Sequence, residues 1–129
     1  MDETDDLRAA RAMRRAVLGD AYVDGQTTDP RPVMAEFQDH LTSMAWGAWA
    51  REGALSVRDR SLLVLAMTAA LGRMDEFRLH AGASHRTGVT DDELDELLFQ
   101  IAGYCGAPAA VAARRALQAV RAEREAARP

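Results

Sequence analysis

The chain has 129 residues, of which 48% are apolar and only 5% aromatic, and its formal net charge is −4. This length is typical of one domain that is small enough to favour oligomerisation, and the acidic balance argues against binding to nucleic acids or anionic membranes. The one cysteine, Cys105, excludes an intrachain disulfide, a CxxC redox pair and a cysteine-based zinc cluster.

Neither a membrane-spanning segment nor a signal or transit peptide is expected from the sequence. No apolar run is long enough to span a bilayer, and the acidic start MDETDDL differs from the basic start of a signal or transit peptide. We therefore expect a soluble cytoplasmic protein without membrane or nucleic-acid partners. A single domain is predicted over residues 1–129, with residues 1–6 and 124–129 frayed.

The first half of the chain predicts two helices separated by a loop. Residues 7–18, LRAARAMRRAVL, have helical composition and stop at Gly19. Residues 19–32 contain two glycines, two prolines and three aspartates, and such a long irregular segment is either functional or a plain surface connector. Apolar residues then recur at spacings of three and four through residues 33–50, which predicts an amphipathic helix.

The second half predicts four further helices. Residues 60–71, RSLLVLAMTAAL, are apolar on nearly all sides, so this helix should be the most buried of the domain or of an oligomer. Residues 73–88 start with acids and end at Gly88, and Thr90 with Glu93 forms a T-x-x-E capping box before the next helix. Pro108 fits the first turn of the last one. Because no stretch alternates like a half-buried strand, the predicted fold class is all-α, with about six helices.

Glu76 and His80 are the first candidate functional residues, because a spacing of four puts both side chains on one helix face. A carboxylate one turn before an imidazole would orient the ring and raise its pKa, leaving a proton donor near neutral pH. The alternative is an exposed pair that contributes only a few tenths of a kcal/mol to helix stability. The residues alone leave both interpretations open.

Arginines and aromatic residues form the second set of candidates. Guanidinium groups beside a cavity bind dicarboxylates through paired hydrogen bonds, although arginines also populate ordinary solvated helix faces. Trp46 is either a core or interface anchor or part of a substrate wall, and Cys105 is interpreted as a small buried hydrophobe. No phosphate loop, HExxH or G-x-S-x-G motif is present. The arginines in question are Arg14, Arg15, Arg58, Arg60 and Arg73.

Four stretches between residues 13 and 115 resemble, in order and spacing, the carboxymuconolactone decarboxylases. The resemblance implies the all-α fold shared with alkyl hydroperoxidase D and a homo-oligomer, either a hexamer or a trimer. In that redox relative a C-x-x-C-x-x-x-H motif carries peroxidase chemistry; here His80 falls on the histidine position, whereas Arg73 and Glu76 occupy the cysteine positions, so a thiol mechanism is excluded at this site. The stretches read MRRAVLGDAYVD, FQDHLTSMAWG, RSLLVLAMTAALGRMDEFRLH and GVTDDELDELLFQIAGYCGAPAA.

The resemblance implies decarboxylation of 4-carboxymuconolactone to 3-oxoadipate enol-lactone, a step of protocatechuate breakdown in the β-ketoadipate pathway. The lactone accepts the electrons of the broken bond itself, so no cofactor is implied. His80, oriented by Glu76, would protonate the resulting dienolate or stabilise it. Arg15, Arg60 and Arg73 would hold the substrate, and Trp46 would belong to an apolar wall that keeps the scissile carboxylate poorly solvated.

The chain departs from the family pattern in the loop near residue 22. Where members commonly read GDAHVDRA, this chain has Tyr22 in place of the histidine and Gly25 in place of the arginine, and Ala48 stands where an acid often follows WG. Tyr22 is still a hydrogen-bond donor for an oxyanion. These changes leave open a paralogue that catalyses another proton transfer in secondary metabolism, such as isomerisation, elimination or cyclisation of a small oxygenated ring or a polyketide-like substrate. A non-catalytic oligomeric scaffold is a third interpretation.

Overall fold

The computed structural model describes residues 4–129, and over that range it contains helices and no β-strand. The all-α prediction is confirmed, and a short helix, Asp20–Asp24, within the segment predicted as a loop, is the addition to the expected six. Between residues 32 and 50, a helix, a π-helical turn and a second short helix follow one another without interruption. The helices are α1 (Asp5–Leu18), α2 (Asp20–Asp24), α3 (Pro32–Leu41), the π-helical turn (Thr42–Trp46), α4 (Gly47–Ala50), α5 (Val57–Ala70), α6 (Met74–Thr87), α7 (Asp91–Cys105) and α8 (Ala107–Ala126).

The chain divides into two compact units, of which the first ends at Ser56 and the second spans Val57–Pro129. In the first unit, α1 begins where the Thr4 hydroxyl accepts a hydrogen bond from the backbone N–H of Leu7 at 3.1 Å. It ends at Gly19, whose φ of 87° is one that other residues rarely adopt. Residues 4–6 are therefore part of a capped helix start, while residues 1–3 of the segment predicted to fray lie outside the described residues.

The second unit is built from α5 to α8 around one apolar core. The predicted capping box is confirmed: the Thr90 hydroxyl accepts from the Glu93 N–H at 3.1 Å, and the Glu93 carboxylate accepts from the Thr90 N–H at 2.9 Å. Pro108 lies in the first turn of α8, as predicted. The core residues are Leu65, Ala69, Phe77, Ala81, Val89, Leu94, Ile101, Ala113, Ala116 and Leu117.

Helix α5 is less buried within the chain than its composition predicts. Its buried residues, Ser61, Leu65 and Ala69, form one stripe at intervals of four, whereas α6 has five buried residues. Apolar side chains on its other side, such as Leu63 and Met67, are 41% and 56% exposed. The prediction that α5 is the most buried helix of the domain is therefore wrong, because its neighbours cover only one of its faces; the oligomer alternative stays a prediction.

Cys105 also differs from its predicted environment. It is exposed, not a buried hydrophobe. The reason is its place as the last residue of α7, in a stretch from 102 to 108 that lies entirely in solvent. The core contacts of α7 end one turn earlier, at Ile101, which is 2% exposed.

Candidate active site

His80 lies in the middle of α6, in the second unit. The helix carries Asp75 and Glu76 in its first turn and His85 and Arg86 in its last, so acidic and basic residues each lie at the end of the helix dipole that favours them. The helix stops at Gly88, which has a left-handed backbone with φ of 90°. Phe77 on the same helix is fully buried and anchors it in the core. The imidazole of His80 is half-buried, and its Nδ1 atom is shielded from solvent.

Burial lowers the pKa of His80 below the ordinary histidine value of 6.5, and the negative charge of Glu76 raises it by a smaller amount. The direction expected from the Glu76 spacing alone was a raised pKa, so that expectation is wrong for the net effect. The Glu76 contribution has the predicted sign, but desolvation of the imidazolium lowers the pKa by more than the negative charge of the carboxylate raises it. Burial therefore disfavours the protonated, positively charged form of His80 in the free protein.

Arg60 and Arg73 belong to the same unit as His80. Arg60 is half-buried in the first turn of α5, and Arg73 is exposed immediately before α6. The backbone of Arg73 is fixed at both ends: its N–H donates to the carbonyl of Thr68 at 2.8 Å, and its carbonyl accepts from the N–H of Phe77 at 2.9 Å. The backbone at residue 73 is thus held by α5 and α6 while the guanidinium faces solvent.

Arg15 lies in the first unit, where it joins α1 to α2. Its guanidinium forms ion pairs with Asp20 at 3.1 Å and Asp24 at 2.8 Å. The hydrogen bond with Asp24 is the larger cause, and that with Asp20 the next, by which the pKa of Arg15 is raised above its ordinary value. The predicted substrate clamp therefore already binds two carboxylates. Tyr22, between those two aspartates in α2, is 38% exposed.

Trp46 is buried in the first unit and stacks on Trp49, with ring centroids 5.3 Å apart and ring planes 26° from parallel. The first unit therefore uses Trp46 as a core anchor. The residue closes the π-helical turn Thr42–Trp46, a wide helical turn that often marks functional sites and that the apolar periodicity of residues 33–50 did not reveal. No pattern in the sequence of this segment predicts the turn.

Neither a metal cluster nor a membrane-spanning helix is found among the described residues. Within residues 4–129, no group of three or more His, Cys, Asp or Glu side chains is arranged to hold a metal ion. Over the same range, none of the helices combines the length and apolar character that crossing a membrane requires. The seven predicted site residues fall into two sets, with His80, Glu76, Arg60 and Arg73 in the second unit and Arg15, Tyr22 and Trp46 in the first.

Two known proteins share much of this sequence. The 4-carboxymuconolactone decarboxylase of Acinetobacter baylyi is 37% identical over 114 residues, which cover 88% of this chain and 84% of that protein. The nitrosuccinic acid decarboxylase npaB of Metarhizium robertsii is 34% identical over 102 residues, which cover 78% of this chain and 71% of that protein. An all-α chain with this similarity to two decarboxylases is itself a decarboxylase, a carbon–carbon lyase.

The family assignment follows from a third comparison. The model of the carboxymuconolactone decarboxylase family matches residues 35–119, about two thirds of the chain. The chain belongs to this family, and the resemblance predicted from its motifs is confirmed.

Proposed function

We propose that the protein decarboxylates 4-carboxymuconolactone to 3-oxoadipate enol-lactone without a cofactor. The observation that carries the proposal is the 37% identity to a 4-carboxymuconolactone decarboxylase over 88% of the chain. The half-buried His80 beside Glu76 supports it, because a titratable group with a shifted pKa is typical of acid–base sites.

The reaction needs one proton and a stabilised oxyanion. Loss of CO2 from the carbon conjugated to the lactone carbonyl leaves a dienolate, and protonation of the carbon next to that carbonyl gives the enol-lactone. We assign the proton to Nε2 or Nδ1 of His80. The substrate carries two carboxylates, and negative charge within about 4–6 Å of an imidazole raises its pKa, so the bound substrate favours the protonated form of His80 that the free protein disfavours.

Arg60 and Arg73 are the proposed carboxylate-binding residues of the second unit. A guanidinium binds a carboxylate through two parallel hydrogen bonds, and the fixed backbone of Arg73 reduces the freedom that this residue loses on binding. Arg15, Tyr22 and Trp46 stay predictions that rest on the family resemblance. For Arg15 to bind a substrate carboxylate, it must exchange at least one of its ion pairs with Asp20 and Asp24.

A nitro-dicarboxylate is the second candidate substrate, favoured by the 34% identity to a nitrosuccinic acid decarboxylase. In such a compound the nitro group takes up the electrons of the broken bond as a nitronate, just as the lactone carbonyl does as a dienolate. Both substrates are dianions that lose CO2 and gain one proton, so the same arginines and the same acid serve either. The replacements at Tyr22 and Gly25 are compatible with a changed substrate.

We propose a homo-oligomer, a hexamer or trimer, and the support in this structure is the number of large apolar side chains in solvent, among them Met44, Leu71 and Phe99 at 61%, 72% and 72% exposure. We place the enzyme in the breakdown of aromatic acids through protocatechuate, and in the cytoplasm, where a chain with one cysteine and no disulfide framework is typical.

The test is direct. Purified protein is mixed with freshly generated 4-carboxymuconolactone or with nitrosuccinate, and CO2 release is followed together with product formation. We expect turnover of the lactone, and a loss of about 10²–10⁴-fold in His80→Gln, with little change in His85→Gln, a matched variant at an exposed position of the same helix. Turnover of nitrosuccinate alone would select the second candidate, and turnover of neither by a well-folded protein would refute both.

The pH profile tests the role of Glu76. If the protonated imidazole is the acid, kcat/KM falls as pH rises through the pKa of His80 in the free enzyme, which lies below 6.5. Glu76→Gln removes the charge that raises this pKa, so the fall moves to lower pH. An unchanged midpoint in Glu76→Gln would show that Glu76 does not act through His80.

A further inference from the structure

The outer side of α7 and α8 carries an apolar groove that none of the proposed active-site residues lines. Its volume is about 330 Å³, and it contains almost no polar surface. Both helices belong to the second unit, so the groove is a feature of that unit alone. Its lining residues are Asp95, Leu98, Phe99, Ala102, Ala110, Val111 and Arg114.

Phe99 makes this surface unfavourable in water. It is 72% exposed, although a phenylalanine buries about 150–250 Å² when it is packed. Ala102 and Ala110 beside it are small and leave the depression open. The surface therefore presents both a projecting ring and a hollow wide enough to receive one.

The charges at the groove are complementary across its two helices. Asp95 on α7 binds Arg121 at 2.8 Å and keeps acceptor positions, since a carboxylate accepts about four hydrogen bonds. Arg114 on α8 forms no ion pair with any carboxylate of the described residues. A surface with an acid on one side, a cation on the other and a ring beside a hollow complements itself under a two-fold rotation.

We propose that this α7–α8 groove docks a second copy of the chain, with Phe99 of each copy in the groove of the other and Arg114 of each copy against Asp95 of the other. The proposal names one contact surface of the homo-oligomer proposed above and rests on it. Helix α8 has 20 residues, or about 30 Å at 1.5 Å per residue. Stable interfaces bury about 800 Å² per partner, so the contact would extend beyond the groove along the exposed side of this helix.

Charge reversal tests the contact. In sedimentation velocity, we expect Arg114→Glu and Asp95→Arg each to lower the assembly mass relative to the wild-type protein, because like charges then face each other at both symmetric positions. Phe99→Ser should do the same. Arg115→Glu, the same change at the next and also exposed position of α8, should keep the wild-type mass.

Mixing distinguishes this geometry from a general loss of folding. Arg114→Glu and Asp95→Arg mixed in equal amounts should restore the wild-type mass. In the mixed pair the two introduced side chains, of opposite charge, face each other at one symmetric position, and the unchanged Asp95 and Arg114 face each other at the second.

Each other outcome overturns a stated part of the proposal. Unchanged mass in Arg114→Glu and Phe99→Ser would overturn the assignment of this surface while leaving an oligomer in place. A monomeric wild-type protein would overturn both the surface and the oligomer, and failure to restore mass on mixing would overturn the two-fold pairing. None of these outcomes depends on the decarboxylase assay.

Discussion

Replacing Thr87 by valine removes the hydroxyl group that links α6 to α5 in the interior of the second unit. The Thr87 Oγ1 atom lies 2.8 Å from Oγ of Ser61 and 2.9 Å from the carbonyl oxygen of Ser84. Thr87 and Ser61 are 8% and 1% exposed, so water does not replace a lost partner. Valine has nearly the shape of threonine, and the change therefore tests the hydrogen bonds without opening a cavity.

The expected cost follows from which groups lose their partners. The carbonyl of Ser84 still accepts from the N–H groups of Gly88 and Val89, each at 3.1 Å, whereas the hydroxyl of Ser61 is left buried and unsatisfied. Such a group costs about 1–3 kcal/mol. Ser61→Ala should cost less, about 0.5–1.5 kcal/mol, because Thr87 keeps the Ser84 carbonyl as an acceptor.

Urea unfolding of the two single variants and the double variant measures this difference. We expect the double variant to lose less stability than the sum of the single losses, because it leaves no orphaned hydroxyl. Thr28→Val makes the same change at an exposed loop position and should stay within about 0.5 kcal/mol of the wild-type protein. Additive losses, or a Ser61→Ala loss at least as large as that of Thr87→Val, would refute the reasoning.

Two further predictions concern pH and capping. Because the folded state lowers the pKa of His80, the free energy of unfolding should decrease as pH falls below the unfolded pKa of 6.5 and level off below the folded pKa. In urea titrations at several pH values, His80→Gln should reduce this dependence of stability on pH. A pH dependence kept by His80→Gln but lost in His85→Gln would contradict the prediction. Thr90→Ala should lower the free energy of unfolding by about 1 kcal/mol, because the Thr90 hydroxyl caps α7 at 3.1 Å. Thr90→Ser keeps a hydroxyl and should retain most of this stability in the same unfolding measurement. Equal losses of stability in the two variants would argue against the cap.

Sequence signals between neighbouring residues predicted all the helices except α2. The capping box at Thr90 and Glu93 and the stop at Gly88 depend on residues within four positions, so the sequence pattern contains all that is needed. Helix α2 has only five residues, too few for an apolar period. Its aspartates are held by Arg15 of the preceding helix, and a contact of this kind is a matter of side-chain placement that no periodicity records.

Burial was harder to predict than helicity. The composition of α5 indicates that all its faces are apolar, but only packing decides which of them meet a neighbour, and Leu65 is fully buried whereas Met67 is 56% exposed. Cys105 shows the same limit, since its residue type favours burial and its position at the end of α7 exposes it. The groove lined by Phe99 and Arg114 is formed by α7 and α8 together, so neither the sequence of α7 nor that of α8 predicts it alone.

The lowered pKa of His80 changes how the proposed acid works. The spacing to Glu76 predicted the sign of one contribution, while the larger one comes from tertiary burial, which the sequence does not display. Burial disfavours the protonated form of His80 in the free protein, so in the proposed mechanism the proton that His80 donates depends on the negative charge of the bound substrate. If the substrate is the proposed dianion, its binding favours protonation of His80, the proton is transferred to carbon after CO2 leaves, and the resulting neutral imidazole is the form that burial favours. On this account the desolvation of His80 and the charge of the substrate act in sequence, and Glu76 sets the balance between them.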